Sequence, residues 1–129
     1  MAALDMLRSA ADFRHVQSHS RSRAHPLLLV RYRRNELDRT RYGISTSRKV
    51  GSAVIRNGVR RRLRTVLREL DPLMTRGWDV LIIARPPTAA ASQSELGAVL
   101  LSLLSGAGLL GRASATGGHG GEELLETRS

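Results

Sequence analysis

"GSAVIRNGVRRRLRTVLREL", residues 51–70, decides how this chain folds. Six arginines fall between Arg56 and Arg68, yet apolar residues recur through the same stretch. Placed 100° apart around a helix axis with Arg56 at zero, Val59, Leu63, Val66, Leu67 and Leu70 share an arc of about 100°. That arc is a core stripe. Asn57, Arg60, Arg61, Arg64 and Arg68 fall on the flank beside it, between about 40° and 140°, and Arg62 falls on the outer side. Ser52 is an N-cap and Pro72 a stop, so the spacing predicts a helix from about Ala53 to Leu70. Like charges at i,i+4 repel by a few tenths of a kcal/mol each, and Glu69, the one acid in the segment, lies off the flank. Such a helix docks by its stripe and turns its arginines toward a polyanion.

Upstream, Ser9 and Asp12 have the spacing of a capping box that opens a first helix carrying Phe13 and Val16. "SHSRSRAH", residues 18–25, suits a loop or an irregular edge strand. "PLLLVRYRR", residues 26–34, alternates: Leu28, Val30 and Tyr32 face one side, and Leu27, Leu29, Arg31 and Arg33 the other. "RYGISTS", residues 41–47, is a further strand, and an antiparallel hairpin of the two is expected. Downstream, "WDVLIIA", residues 78–84, is a continuous apolar run ended by "RPP", as a buried strand is. Ser92 and Glu95 form a second capping box ahead of an amphipathic series, Leu96, Val99, Leu100, Leu103 and Leu104. The order is helix, two or three strands, helix, strand, helix, which is an α+β fold on one small sheet. Residues 1–105 form one domain, and the glycine-rich stretch 106–129 is expected to be a flexible tail.

The formal net charge is +10, the sequence pI is about 11.6, and every cation except Lys49 is an arginine. Arginine's planar fork grips phosphate bidentately, so nucleic acid is the first expectation and an anionic membrane surface the second. A helix lying on a membrane needs its apolar stripe free for lipid, whereas this stripe is needed to cover the following strand and final helix. With no cysteine, disulfides and thiolate metal sites are excluded. The N-terminus does not read as a secretory signal and no apolar stretch approaches a membrane span, so a cytoplasmic protein is expected.

"SRKVGSAVIRNGVRRRLR", residues 47–64, together with "DFRHVQ", "YGISTS" and "DVLIIARP" in order, resembles the protein subunit of bacterial ribonuclease P. The resemblance covers about residues 6–104. It implies a small mixed sheet in α-β-β-β-α-β-α order, with a left-handed crossover at the arginine helix. It also implies the work: binding a catalytic RNA and the 5′ leader of precursor tRNA, which that RNA cleaves with Mg²⁺ that it holds itself. Arg48 and Lys49 match the family's basic pair. Arg56 and Asn57 match the opening of its Arg-Asn-Arg element, and Arg60, Arg61 and Arg64 match later basic positions. Arg68 continues that RNA-facing flank. Phe13 matches the first aromatic of the leader groove, and Arg31, Tyr32 and Arg33 are candidates to line it. Gly58 stands where a second arginine is usual, and Gln17 where a second phenylalanine is common.

Catalysis by the protein itself finds no support in the sequence. His15 and His19 have metal-pair spacing but no third ligand, and Asp12, Glu36, Asp38 and Asp79 are dispersed. Trp78 reads as core. The alternative is a stand-alone structural RNA-binding protein, which would use the arginine flank but no leader groove.

Overall fold

The computed structural model describes residues 4–111. Its elements are α1 (Ala10–Ser18), β1 (Arg21–Ala24), β2 (Leu28–Arg34), β3 (Arg41–Thr46), α2 (Ala53–Leu70), β4 (Trp78–Ala84) and α3 (Gln93–Gly106). Short 3₁₀ turns occupy Arg48–Val50, Asp71–Leu73 and Pro86–Ala90. Both capping boxes form: Ser9 Oγ accepts from the Asp12 N–H at 3.0 Å and Ser92 Oγ from the Glu95 N–H at 3.1 Å. Ser52 caps α2 by accepting from the Ile55 N–H at 3.4 Å.

The sheet runs β1-β2-β4-β3. β2 and β3 are therefore not a hairpin, which corrects the reading from chain order. β4 inserts between them, antiparallel to β2 (Leu28↔Ala84 to Arg34↔Trp78) and parallel to β3 (Arg41↔Asp79 to Thr46↔Ala84). The reason lies in β4's composition. Five of its seven residues are buried, so the strand needs cover on both faces and neighbours on both edges. "SRSRA" supplies the edge strand β1, all of it exposed. The opposite edge is partly covered by the N-terminal segment, where the Leu7 N–H donates to the Tyr42 carbonyl at 2.7 Å and the Tyr42 N–H to that of Asp5 at 2.8 Å.

One face of the sheet carries the main core. Leu28, Val30 and Tyr32 of β2, Tyr42 of β3 and Val80, Ile82 and Ala84 of β4 pack under Val59, Leu63, Val66 and Leu67 of α2 and the leucines of α3. Tyr42 is fully buried, and its hydroxyl donates to Asp71 at 2.6 Å where α2 ends. Burial and the Asp71 carboxylate together raise its phenol well above the ordinary tyrosine range. On the other face α1 lies over Leu81 and Ile83 of β4, with Leu7, Phe13 and Val16.

Residues 106–111, read from the sequence as the start of a tail, belong to the fold. Gly108 adopts φ 78°, and the Leu109 N–H reaches back to the Leu104 carbonyl at 3.0 Å, a glycine-ended helix stop. The stop returns a fully buried Leu109 to the core, and Gly111 then donates to the Leu73 carbonyl at 2.7 Å. The rest of the expected tail, 112–129, lies outside the described residues. No described helix is long and apolar enough to cross a membrane.

Candidate nucleic-acid interface

α2 runs unbroken through Gly58, and its buried side is the predicted stripe. The arginines divide into two sets. Arg61, Arg64 and Arg68, with Asn57, are exposed. The four ion pairs among the described residues, Arg39–Asp5, Arg41–Asp12, Arg41–Asp79 and Arg76–Asp71, include no arginine of α2. The second set is tied down. Arg60 donates to Thr46 Oγ1 at 2.6 Å and to Asn57 Oδ1 at 3.0 Å, which locks the end of β3 to the helix. Arg56 Nε donates to the Gly51 carbonyl at 3.2 Å. Arg62 is not on an outer face. It is half-buried against the Pro86–Ala90 turn, reaches the Thr88 carbonyl at 3.5 Å, and buries an Nε that has no hydrogen-bond partner. Gly58 is buried as well, outside the stripe, with the tips of Arg62 and Arg61 over it. A Cβ added there would lie 3.4 Å from the tip of Arg62, a contact the flexible side chain can yield.

Arg48 and Lys49 are exposed in the 3₁₀ turn before α2. The chain passes from that turn into the helix through Gly51, whose φ of 150° suits glycine. The basic pair and the free flank are thus held on one continuous segment.

The α1 side of the sheet brings together three of the four residues read as leader-binding. Arg31 and Arg33 are half-buried on this face, and Phe13 lies against β3. Its ring fits because residue 43 is glycine: a Cβ there would stand 2.8 Å from Phe13 Cε1. Tyr32 is the exception. It points to the opposite face, is 7% exposed, and packs with Trp78 at a ring-centroid distance of 5.9 Å. The strand's own alternation had already placed it with Leu28 and Val30, so Tyr32 is a core residue. Trp78 is half-buried beside it, with Arg34 stacked 5.4 Å above its ring.

A charge cluster at the corner of the same face escaped the sequence reading. Asp79, 2% exposed, takes Arg41 in a bidentate pair, with Nε at 2.9 Å and NH2 at 2.8 Å. Asn35 donates to the same carboxylate at 2.8 Å, and Arg41 NH1 reaches Asp12 on α1 at 3.4 Å. The Asp79 hydrogen bonds, opposed by burial and aided by the charges of Asp79, Asp12 and Asp5, raise the Arg41 pKa further. At Asp12 desolvation works upward but loses to the Arg41 charge and the Ser9 hydrogen bonds, which together lower its carboxyl below the usual range. Asp12 and Asp79 are thus both turned onto Arg41. His15 and His19 stand side by side on α1 with ring centroids 6.4 Å apart, and His19 Nδ1 shares a hydrogen bond with Ser18.

The arrangement defines a class: a small α+β protein with an unneutralised arginine flank on the helix above one sheet face and an aromatic and arginine pair of strand and helix on the other. The family profile of ribonuclease P matches residues 1–108, and the chain belongs to that family. A ribonuclease P protein component from Clostridium botulinum is 35% identical over 104 residues, spanning 80% of this chain and 94% of its own. The ribonuclease P protein of Staphylococcus aureus superposes with a TM-score of 0.76 at 28% identity, over 82% of this chain and 97% of that one. The Thermotoga maritima protein gives 0.70 at 26% identity, over 76% and 93%.

Proposed function

We propose that this chain is the protein subunit of ribonuclease P. It binds the catalytic RNA with Arg61, Arg64 and Arg68 as phosphate contacts, and with Arg48 and Lys49 at the head of the helix. Arg56, Asn57 and Arg60 shape that surface and hold it to β3. The 5′ leader of precursor tRNA lies along the α1 side of the sheet, with Phe13 as a stacking face and Arg31 and Arg33 for phosphate or base contact. The protein promotes removal of the leader, and the RNA carries the chemistry with Mg²⁺ that it holds itself. A cytoplasmic location accompanies this reading.

The observation that carries the proposal is the row of three exposed arginines on one helix flank, none of them in an ion pair among the described residues. Like charges so placed gain from a polyphosphate, and the family membership selects which one. The test is cleavage of precursor tRNA by the cognate RNA at low Mg²⁺, with and without the protein, using long and very short leaders. Stimulation that grows with leader length is expected. RNA binding without stimulation would move the chain to the stand-alone structural RNA-binding class.

A further inference from the structure

One exposed group on α2 has no task in this reading. Val54 stands in the first turn with 80% of its surface in water, more than any other large apolar side chain among the described residues. Its neighbour Ile55 has a seat over Gly51, where an added Cβ would meet it at 3.0–3.1 Å. Val54 belongs to neither core cluster. Valine is also a weaker helix former than alanine, so helix propensity does not explain its presence at an exposed helical position.

Its place on the helix is informative. On the same wheel Val54 falls at about 160°, next to Arg61 at about 140° and Arg68 at about 120°. Arg61 stands about 10 Å and Arg68 about 21 Å further along the axis. The apolar side chain therefore heads the row of unneutralised guanidiniums.

We infer that Val54 receives the face of one unstacked nucleobase of the RNA whose backbone follows the Arg61–Arg68 row. The inference rests on the proposed function and names a contact within it. A paired RNA helix presents phosphates, 2′-hydroxyls and base edges, while its base faces are hidden in the stack. An apolar side chain among phosphate-binding arginines gains only where a base has left that stack. A second copy of the chain would bring one arginine row against another. The occupant with matching charge and an apolar face is an unpaired nucleotide.

The experiment compares wild type, V54T, V54L and R61A for binding to the cognate ribonuclease P RNA and to a fully paired RNA duplex across a salt series. Val54→Thr keeps the branched shape and replaces a methyl group with a hydroxyl. It is expected to bind the ribonuclease P RNA about fourfold more weakly, the scale of one buried methyl group, with unchanged salt slope and unchanged duplex binding. V54L is expected to retain wild-type affinity, and R61A to lower the slope by about one on both RNAs. Unchanged binding of V54T to the ribonuclease P RNA, an equal loss on the duplex, or a V54L as weak as V54T would each overturn the contact. Wild-type protein that binds the ribonuclease P RNA no better than the duplex would overturn the functional reading itself.

Discussion

Arg41 and Arg61 carry the same guanidinium into opposite situations. Arg41 is held at the corner of the sheet by two carboxylates, one of them buried, and ties β3, β4 and α1 together. Arg61 stands on an exposed helix face with Arg64 and Arg68, and no ion pair among the described residues reaches that helix. The acids are spent where the fold needs them and withheld from α2. A net charge of +10 therefore does not coat the molecule evenly: part of it is neutralised as scaffold, and part is left for a partner. Composition cannot distinguish these two uses. Geometry does.

The largest expected effect comes from breaking the scaffold side. Asp79→Ala leaves Arg41 half-buried without its main partner, and loss of one member of a buried pair costs about 3–5 kcal/mol. Urea unfolding checks it, and a loss below about 1 kcal/mol would mean that the corner is held by packing rather than charge. On the other side, replacing Arg61, Arg64 and Arg68 together with alanine should lower the salt slope of RNA binding by about three. The same triple variant should unfold no earlier than wild type, because the repulsion it removes is worth a few tenths of a kcal/mol per pair. Destabilisation instead would place those arginines with Arg41, as scaffold.

Tyr42→Phe tests the hydroxyl held by Asp71 and should cost about 1 kcal/mol at neutral pH. Its pH dependence has a definite sign. The folded phenol titrates above its unfolded value, so its contribution is intact below pH about 10 and is lost as pH rises beyond it. The variant should lose that alkaline decline, which thermal midpoints recorded from neutral to strongly alkaline pH would reveal. The smallest expected effect is Gly58→Ala. In a continuous helix it should raise stability by up to about 1 kcal/mol, with only the tip of Arg62 to move. A measured loss would show that the Arg62 seat against the Pro86–Ala90 turn depends on the missing side chain.

The sequence made much of this legible wherever the deciding contacts are local. The bounds of α2, three serine caps and the extent of β4 follow from spacings of three and four residues or from one unbroken apolar run. Sheet order was not local. Adjacent strands usually pair, yet the strand that needs two neighbours is β4, and its seven apolar-rich residues gave the only hint. The Arg41–Asp79 pair spans 38 residues and left no trace in either neighbourhood. For the candidate site, the arginine flank was readable because one helix carries it whole. What could not be read was how it divides, since Arg60 and Arg62 are claimed by Thr46 and Thr88 from other elements. Leu109 was hidden for another reason: glycines that mark a loose tail also make the left-handed turn that brings a chain back.

The insertion of β4 between β2 and β3 also orders events in time. As the chain leaves the ribosome, β1 and β2 can pair at once, though a lone hairpin is marginal in water. β3 emerges with only the short bridge from Asp5–Leu7 to Tyr42 as a partner before it in the chain, and α2 follows with a stripe but no complete sheet to cover. Only when Trp78–Ala84 arrives do both waiting strands gain their neighbour in one step. The sheet is thus a late, long-range closure, and folding should be slower than the helical content suggests. Until then β3 offers an unpaired edge, so a chain stalled before residue 78 is the species most exposed to aggregation.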